Sequence, residues 1–301
     1  MTSAAPTVPP VPTGPPDERS GRRPDELAAA AGAALADLRG SRPLVQCLTN
    51  EVTTNLVANA VLAIGATPAM ASVPGEAEQL AAVAGAVLVN LGTPGPDQRA
   101  CIETTVATAV RAGVPWVLDP VAVGVLSVRT ALAERLLPAG PAVVRGNASE
   151  ILALAGLESR GRGVDAHDGV DAAQDAARQV AAVTGGAVAV SGPVDLVVGH
   201  AALVRLPGGD ELLTSITGAG CALGALVAAF AAVTDPVTAA VAASAAMAVA
   251  AERAAATARG PASFQVALLD ELYRLEPDDL AAECARVLAA GANASSARVP
   301  A

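Results

Sequence analysis

Short apolar runs alternate with alanine-rich stretches along most of the chain, and this alternation restricts the fold more than any other feature. Four of the runs, at residues 86–90, 116–119, 142–144 and 187–190, are each followed by a loop. Because the runs are apolar at consecutive positions, they predict strands that are buried on both faces of a parallel sheet. The pattern therefore indicates an α/β fold of three layers, with a mostly parallel central sheet and helices on both faces.

The central part of the chain has the length and composition of one domain. The protein has 301 residues, of which 52% are hydrophobic and only 1% aromatic. A chain of this size can bury one large core, here built from small aliphatic side chains. Residues 1–24 are rich in proline and lack the apolar region of a signal peptide, and residues 291–301 are small and polar. We therefore expect disordered segments at 1–24 and 291–301 around a single domain at 25–290.

Charge and hydrophobic patterning argue against two kinds of partner. The formal net charge is −10 at pH 7, so a broad basic face for nucleic acid is not expected. The apolar region 221–251 is interrupted by Thr234-Asp-Pro236, which divides it into pieces shorter than the roughly 20 residues of a membrane-spanning helix. We expect two buried helices that meet at a turn, with neither a membrane nor nucleic acid as partner. An anionic substrate would need a local positive site made by a metal, an arginine or a helix N-terminus.

The kinds of basic and sulfur-containing residues limit the chemistry further. All 19 basic residues are arginine, which excludes Walker A loops, protein kinases and enzymes that use a Schiff-base lysine. The four cysteines are widely separated and form no CxxC pair, and the two histidines lie in ordinary polar surroundings. A structural zinc site and a catalytic histidine are therefore not expected. Any nucleotide phosphate must be bound by arginine, backbone N–H groups and metal.

A glycine-rich segment, Thr217-Gly-Ala-Gly-Cys-Ala-Leu-Gly224, opens directly into an apolar helix predicted at 222–233. The first N–H groups of a helix have no partner within it, so they can bind a phosphate or a phosphoryl group in transfer. The glycines let the backbone approach such an anion, and Cys221 lies where the helix dipole favours a thiolate. The same residues also suit a loop packed tightly on a helix, with an inert buried cysteine.

Two further segments place polar groups at the ends of predicted strands. Asp119 stands at a carboxyl end, the edge at which open α/β sheets bind ligands, and this suits a Mg²⁺ ligand. An Asp before Pro120 also commonly begins a turn. The segment 145–156 begins with Arg145, whose planar fork suits an ATP phosphate. Its Asn147 and Glu150 are three residues apart, a spacing that also forms the cap at the start of a helix.

The glycine-rich segment resembles the Gly-Ala-Gly-Asp turn of ribokinase-like enzymes, whose Asp activates the substrate hydroxyl. Cys221 stands in place of that Asp, as a cysteine does in hydroxyethylthiazole kinases. Further matches follow in the right order between residues 40 and 275, namely Pro43-Leu-Val-Gln-Cys-Leu-Thr-Asn50, Gly65-Ala-Thr-Pro-Ala-Met70, the Asn-x-x-Glu motif at Asn147 and Glu150, and Gly260-Pro-Ala-Ser-Phe264. The chain is thus similar to hydroxyethylthiazole kinases of the ribokinase-like superfamily.

The resemblance implies a cytoplasmic kinase that transfers the ATP γ-phosphoryl group to the hydroxyl of 4-methyl-5-(2-hydroxyethyl)thiazole in thiamine biosynthesis or salvage. It implies that Cys221 accepts or orients the hydroxyl proton and that Asp119 and Glu150 hold Mg²⁺. The other implied contacts are Met70, Gly218 and Asn50 with the thiazole, and Arg145, Ser191, Gly220 and Asn147 with ATP. Because the family assembles as trimers with sites between subunits, it further implies a homotrimer in which the Asn50 loop reaches a neighbouring subunit.

Other functions stay open at this point. A kinase of the same fold for hydroxymethylpyrimidine or a sugar, or an ATP-dependent dehydratase of hydrated nicotinamide cofactors, would be expected to have an acidic residue at position 221. A non-catalytic thiazole- or thiamine-binding protein is a third alternative. The chain also departs from the usual family pattern at four positions, and these departures concern substrate specificity more than reaction class. They are Gln46 in place of His, Ala219 and Ser191 in place of Thr, and Gly224 in place of Ser.

Overall fold

A sheet of eight strands forms the centre of the protein, whose computed structural model describes residues 22–156 and 166–296. The strands are β1 (Leu44–Leu48), β2 (Thr67–Ala69), β3 (Ala86–Asn90), β4 (Trp116–Asp119), β5 (Val143–Asn147), β6 (Ala187–Ser191), β7 (Val194–Val198) and β8 (Leu203–Pro207). Their order in the sheet is β2-β1-β3-β4-β5-β6-β7-β8. The pairs from β2 to β6 are parallel, and β7 and β8 extend the sheet as antiparallel strands. The sheet is therefore mostly parallel, as the uninterrupted apolar runs predict.

Helices fill the connections between the parallel strands and most of the C-terminal third of the described chain. They are α1 (Pro24–Ser41), α2 (Thr54–Ile64), α3 (Glu76–Ala81), α4 (Pro96–Ala112), α5 (Ser127–Leu136), α6 (Ala148–Leu154), α7 (Ala166–Thr184), α8 (Ala219–Ala231), α9 (Pro236–Ala255), α10 (Pro261–Arg274) and α11 (Pro277–Ser296). Short 3₁₀ helices span Leu137–Ala139 and Glu211–Ser215. Several of the α-helices begin with proline, which suits a first position where no N–H donor is needed.

Alternate residues of the strands point into two separate cores. In β3, Val87 and Val89 belong to the core under α3 to α7, whereas Leu88 belongs to the core under α1, α2 and α8 to α11. Successive side chains of a strand point to opposite faces of a sheet, so the two cores lie on opposite faces. Helices cover both of them, and the predicted three-layer α/β fold is confirmed.

Helices α8 and α9 form the most apolar layer, and they meet at a short turn as predicted. Every residue from Cys221 to the end of α8 is buried. By length and composition α9 resembles a membrane-spanning helix, but 78% of its apolar window is buried inside the protein. Asp235 begins α9 by accepting a hydrogen bond from the Thr238 N–H at 3.1 Å. A buried core helix with a polar cap accounts for its composition.

The ends of the chain differ in part from the predicted boundaries. Pro24, predicted to belong to the N-terminal extension, is the first residue of α1. Residues 291–296, predicted to belong to a disordered tail, continue α11. Gly291 lies so close to β8 that a Cβ on it would be 2.3 Å from the Arg205 carbonyl oxygen, and this contact holds the helix end against the sheet. The rest of the predicted extension and tail, 1–21 and 297–301, lies outside the described residues.

Two further boundaries differ near the glycine-rich segment. Helix α8 begins at Ala219 rather than at 222, because Gly218 takes the left-handed conformation that starts the helix earlier. Gly208-Gly-Asp210 has the composition of a hairpin turn, but the chain does not return as a strand. Asp210 instead accepts a hydrogen bond from the Leu212 N–H at 2.9 Å and begins the 3₁₀ helix Glu211–Ser215.

The carboxyl ends of the parallel strands gather polar residues from distant parts of the sequence. Asn90 pairs with Asp119 in the register of β3 and β4, and Asn147 pairs with Ser191 in that of β5 and β6. The start of α8 lies over the same edge, where a Cβ at Gly224 would be 3.1 Å from an Asp119 carboxylate oxygen. Open α/β sheets bind ligands at this edge.

Candidate active site

Asp119 lies at the centre of the polar cluster on this edge, and its side chain is fully buried. Nδ2 of Asn90 donates to Oδ2 at 2.6 Å, and Nη1 of Arg145 lies 3.8 Å from Oδ1. Burial raises the pKa of Asp119 to about 7, against the opposing effect of Arg145 and with a further increase from Glu150. Oδ1 accepts no hydrogen bond from the described residues although it is buried. A buried carboxylate oxygen without a donor suits contact with a cation.

Arg145 joins Asp119 to the next strand and to the glycine-rich turn. Its side chain is only 12% exposed, and Nη2 donates to Oγ of Ser191 at 2.8 Å. A Cβ at position 220 would lie 2.8 Å from Nη1, so the guanidinium packs directly on the Gly220 backbone. Three residues predicted to contact ATP thus form one continuous surface.

Glu150 and Asn147 form a reciprocal cap at the start of α6. Asn147 Oδ1 accepts from the Glu150 N–H at 3.0 Å, and Glu150 Oε2 accepts from the Asn147 N–H at 2.8 Å. Glu150 Oε1 accepts from the Ala122 N–H at 2.9 Å, in the loop after β4. Glu150 is buried and close enough to raise the pKa of Asp119. The cap therefore also fixes a second carboxylate beside Asp119.

The glycine-rich turn begins α8 with N–H groups that have no helical partner. Gly218 has a φ of +94°, and a Cβ there would lie 2.7 Å from Cγ2 of Thr53, so conformation and space both require glycine. The first helical hydrogen bond runs from the Ala222 N–H to the Gly218 carbonyl at 2.8 Å. The N–H groups of residues 219–221 come before it, in the position where helices bind anions.

Cys221 is buried, with 9% of its surface exposed. Burial raises the pKa of its thiol, and the negative charge of Asp119 raises it further, whereas hydrogen bonds with Thr53 and Asn90 lower it. The net direction is upward, so the prediction that the helix dipole favours a thiolate here is wrong. Desolvation by burial is the largest cause of this shift, and it favours the neutral thiol over the thiolate.

Asn50 and Met70, predicted to contact the thiazole, follow β1 and β2. Asn50 Oδ1 accepts from the Val52 N–H at 3.0 Å, and its Nδ2 lies against Gly92, where a Cβ would be 2.9 Å away. Met70 is half-buried and packs on the core that contains α8. Gly218 lies near this side through its contact with Thr53. Core packing and a ligand contact are compatible for a partly exposed methionine.

A cavity of about 610 Å³ opens on the Arg145 side of the cluster, a size that suits a small-molecule ligand such as a nucleotide. Its walls include Arg145, Ser191, Gly220, the segment 208–214, Leu223, Met247 and Ala248. Asn147, which was also predicted to contact ATP, does not line it, and neither do Cys221, Gly218, Asn50 and Met70. Three of the four residues predicted for ATP therefore line the cavity, and the residues predicted for the thiazole lie outside it.

Three residues of this region were not predicted from the sequence to belong to the site. Asn90 contacts Asp119 and Cys221, and the signal for it was present, because a polar residue ends an apolar strand there just as Asp119 does. Thr53 contacts Gly218 and Cys221 but belongs to no motif. Asp195 lines the cavity, accepts from the Gly192 N–H at 3.0 Å, and has a pKa raised by burial. Nothing in the sequence around Asp195 indicates this placement.

The two neighbouring carboxylates suit a metal that arrives with a nucleotide. No group of three or more His, Cys, Asp or Glu side chains within the described ranges is placed to hold a metal ion. Magnesium in kinases is commonly held by one or two carboxylates together with phosphate oxygens and water. Asp119, with its unpartnered Oδ1, and Glu150 supply that number of carboxylates.

The chain matches a known family over most of its length. The family model described as the hydroxyethylthiazole kinase family matches residues 35–278. A protein named hydroxyethylthiazole kinase from Clavibacter sepedonicus is 52% identical over 245 residues, which cover 81% of this chain and 89% of that protein. The family match spans the strands and the glycine-rich turn that carry the polar cluster.

Two solved structures share the fold. A hydroxyethylthiazole kinase protein from Pyrococcus horikoshii OT3 is 37% identical with a TM-score of 0.77, covering 83% of this chain and 95% of that one. A ribokinase-like superfamily protein from Enterococcus faecalis V583 is 10% identical with a TM-score of 0.58, covering 87% and 100%, and supports the fold alone. With its ribokinase-like fold, its family match and these relatives, the chain belongs to the hydroxyethylthiazole kinase family.

Proposed function

We propose that the protein transfers the γ-phosphoryl group of ATP to the primary hydroxyl of 4-methyl-5-(2-hydroxyethyl)thiazole, in thiamine biosynthesis or salvage. One observation carries the proposal. Cys221, at the start of α8, contacts the same buried cluster as Asp119 and Arg145, beside a cavity of nucleotide size. Family membership supplies the reaction class, a phosphotransferase with an alcohol as acceptor.

ATP occupies the 610 Å³ cavity with its phosphates toward Arg145. Arg145, Ser191 and Gly220 contact the nucleotide, and Asn147 contributes from the cap of α6. The N–H groups at the start of α8 stabilise the charge of the phosphoryl group in transfer. In phosphoryl transfer the protein acts mainly by positioning both partners and neutralising charge, which is the chemistry that this set of groups offers.

Cys221 orients the acceptor hydroxyl for in-line attack. Its raised pKa makes the thiol a weak proton acceptor at neutral pH. Phosphoryl transfer passes through a loose transition state in which the attacking oxygen is little bonded, so early removal of the hydroxyl proton is not required. A buried thiol close to the polar side chains of Thr53 and Asn90 suits this positioning role.

Asp119 and Glu150 would hold Mg²⁺ together with ATP phosphate oxygens, and the ion would neutralise phosphate charge during transfer. The buried Oδ1 of Asp119, which accepts no hydrogen bond from the described residues, supports this assignment. Glu150 is fixed beside it by the N–H groups of Asn147 and Ala122. The chain's own part is to keep both carboxylates in place before the nucleotide binds.

The acceptor side consists of Met70, Gly218 and Asn50, and we propose that it is completed between subunits of a cytoplasmic homotrimer whose kinase domain is 25–290. Val52, two residues after Asn50, is 69% exposed, an apolar side chain that a neighbouring subunit would cover. Mass measurement in solution, combined with activity over a dilution series, tests the shared site. Activity is expected to fall where the trimer dissociates, and a fully active monomer would contradict it.

The reaction itself is tested by one panel assay. The protein is incubated with Mg-ATP and, separately, with hydroxyethylthiazole, hydroxymethylpyrimidine, ribose or hydrated NADH, and the formation of ADP and of phosphorylated product is measured. We expect phosphorylation of hydroxyethylthiazole at the highest kcat/KM. Preference for the pyrimidine or ribose, dehydration of hydrated NADH, or the absence of any turnover would each favour one of the alternative functions.

A further inference from the structure

One wall of the large cavity is an irregular segment, residues 208–214, that connects β8 to the glycine-rich turn. Gly208, Gly209, Asp210, Glu211, Leu213 and Thr214 all line the cavity. The chain then continues through residues 215–217 to Gly218 and the start of α8. The position of this wall therefore sets the width of the cavity at the entrance to the phosphoryl-transfer turn.

Most of the hydrogen bonds of the wall segment are local. The Leu212 N–H donates to Asp210 Oδ1 at 2.9 Å, the Leu213 N–H donates to the Asp210 carbonyl at 3.1 Å, and the Thr214 hydroxyl donates to the Glu211 carbonyl at 2.7 Å. Such bonds fix the shape of the segment but not its place on the domain. Gly208 and Gly209 have φ values of +146° and +88°, conformations that leave the chain path easy to vary.

Glu252, on α9, links this segment to the helical layer. Its Oε1 accepts a hydrogen bond from the Gly209 N–H at 3.1 Å, and a Cβ on Gly208 would lie 2.8 Å from the same oxygen. Its Oε2 accepts from Nη2 of Arg286, on α11, at 3.0 Å. One oxygen of the Glu252 carboxylate thus binds Arg286 on α11, and the other binds the N–H of Gly209 in the wall segment.

Arg286 has a second carboxylate partner that does not touch the wall. Its Nε donates to Oε2 of Glu283, one turn earlier on α11, at 2.6 Å. Glu283 and Glu252 have similar exposure, with 30% and 36% of their side chains accessible. Glu283 Oε1 also lies 3.8 Å from Nη2 of Arg253, on α9. Of the two carboxylate partners of Arg286, Glu252 is the one that accepts from the Gly209 N–H, so Glu283 serves as the control.

We propose that Glu252 is a positioning residue that holds the 208–214 wall of the nucleotide cavity in place through the Gly209 N–H. The inference rests on the proposed use of this cavity by ATP. Because Glu252 touches the wall and neither Cys221 nor the acceptor side, its loss acts on nucleotide affinity and leaves the chemical step intact. A charge-assisted hydrogen bond from a backbone N–H is among the stronger contacts available to such a segment.

The test compares three variants in steady-state kinetics, with ATP varied at saturating thiazole and thiazole varied at saturating ATP. Glu252→Ala is expected to raise KM for ATP by about five- to twentyfold, with kcat and KM for thiazole within about twofold of the unchanged protein. Glu252→Gln keeps an oxygen acceptor for the Gly209 N–H and is expected to recover most of the ATP affinity. Glu283→Ala removes the other carboxylate partner of Arg286 and is expected to leave all three constants unchanged.

Thermal unfolding of each variant shows whether the fold is retained, and calorimetric titration with ADP measures nucleotide affinity without turnover. Equal changes in both KM values, an unchanged KM for ATP in Glu252→Ala, or the same effect in Glu283→Ala would overturn the inference. If the unchanged protein binds ADP but phosphorylates no alcohol, the proposed function fails by itself. Weaker ADP binding in Glu252→Ala would still support the positioning role in that case.

Discussion

The two sides of the polar cluster are built differently, although both stand at the carboxyl edge of one sheet. On the nucleotide side, Arg145, Ser191 and Gly220 line an open cavity of about 610 Å³. On the acceptor side, Asn50 and Met70 lie outside that cavity and pack on neighbouring loops and on the core. A single chain thus presents a formed cavity for the proposed nucleotide site, whereas the residues proposed for the acceptor follow the last two strands at one edge of the sheet.

The positions of the strands in the sheet explain why one side forms a cavity and the other does not. The nucleotide side lies over β5 and β6, interior strands with a partner on each side, and its glycines keep the backbone open to a ligand. Met70 follows β2, an edge strand of three residues, so few ladder hydrogen bonds fix its loop. Gln46, fully buried in β1, donates from Nε2 to the carbonyls of Ala71 and Ala77, both at 2.9 Å, and so holds this loop. An edge loop of this kind is suited to completion by another subunit.

Cys221→Ala is the change with the largest expected effect, because the thiol lies between the two sides. We expect kcat to fall by about 10²-fold or more, since the acceptor hydroxyl loses the group that orients it. Both KM values should stay within about twofold, because neither the nucleotide nor the thiazole ring loses a contact. Steady-state kinetics with each substrate varied in turn measures this.

Cys101→Ala is the control for the loss of a buried thiol, because Cys101 lies in the core on the opposite face of the sheet. Its kcat should match that of the unchanged protein. An unchanged kcat in Cys221→Ala would remove Cys221 from the mechanism, and the two sides would then meet at another residue.

Arg145→Gln should weaken the nucleotide side alone. The guanidinium is the cation packed on Gly220 and bonded to Ser191, and hydrogen bonds to charged groups are among the strongest polar contacts. We expect kcat/KM for ATP to fall by about 30- to 100-fold, with little change in KM for thiazole. Arg135→Gln, at an arginine 54% exposed on the surface, is the control. Equal loss of affinity for both substrates would show that the two sides are not independent.

Most of the fold follows from local patterns in the sequence. The strands at 86–90 and 116–119 agree with prediction because a run that is apolar at consecutive positions can be buried only between two layers. The predicted start of α8 lies three residues late, because the left-handed conformation of Gly218 and its packing against Thr53 are not local patterns of the sequence. The path of Gly208-Gly-Asp210 likewise includes a bond to a distant residue, from the Gly209 N–H to Glu252 in α9.

The candidate site was predictable where residue type alone sets the chemistry. Asp119 and Arg145 stand out because each ends or follows an apolar strand, and register then brings them together. The state of Cys221 was not predictable, because its pKa depends on how much of the core surrounds it and on Asp119 nearby. The separation of Met70 from the nucleotide cavity was also not predictable, because it arises from the strand order and not from any motif.

Asp119 lies at the boundary between the two sides. Its buried, ionised carboxylate is expected to lower the free energy of unfolding of the whole domain. Its pKa is raised by burial from 3.8 to about 7, so between these values the folded protein keeps a proton that the unfolded chain has lost. The free energy of unfolding therefore falls as the pH rises from about 4 to about 7. Asp119→Asn removes this dependence and should raise the free energy of unfolding by about 4 kcal/mol at pH 8, because each pKa unit corresponds to about 1.4 kcal/mol, while kcat falls.

Urea unfolding up to pH 8, without magnesium or nucleotide, measures this difference. The measurements should extend down to about pH 3, below the ordinary pKa of 3.8, where the carboxyl is mostly protonated in both states and the pH-dependent difference between the two proteins is smallest. The two proteins should diverge as the pH rises from there. If the Asp119→Asn variant is less stable than the unchanged protein at pH 8, the ion pair between Asp119 and Arg145 outweighs the cost of burying the carboxylate.

The smallest expected effects come from one substitution made on each side, Met70→Ala and Met247→Ala. Met247 lines the nucleotide cavity, and Met70 stands on the acceptor side. Loss of a few tens of Å² of apolar contact should raise KM for thiazole about threefold to tenfold in Met70→Ala, with KM for ATP unchanged. Met247→Ala should do the reverse, raising KM for ATP by a similar factor. If both variants raise the same KM, the division of the site into a nucleotide side and an acceptor side is wrong, and the two substrates share one cavity.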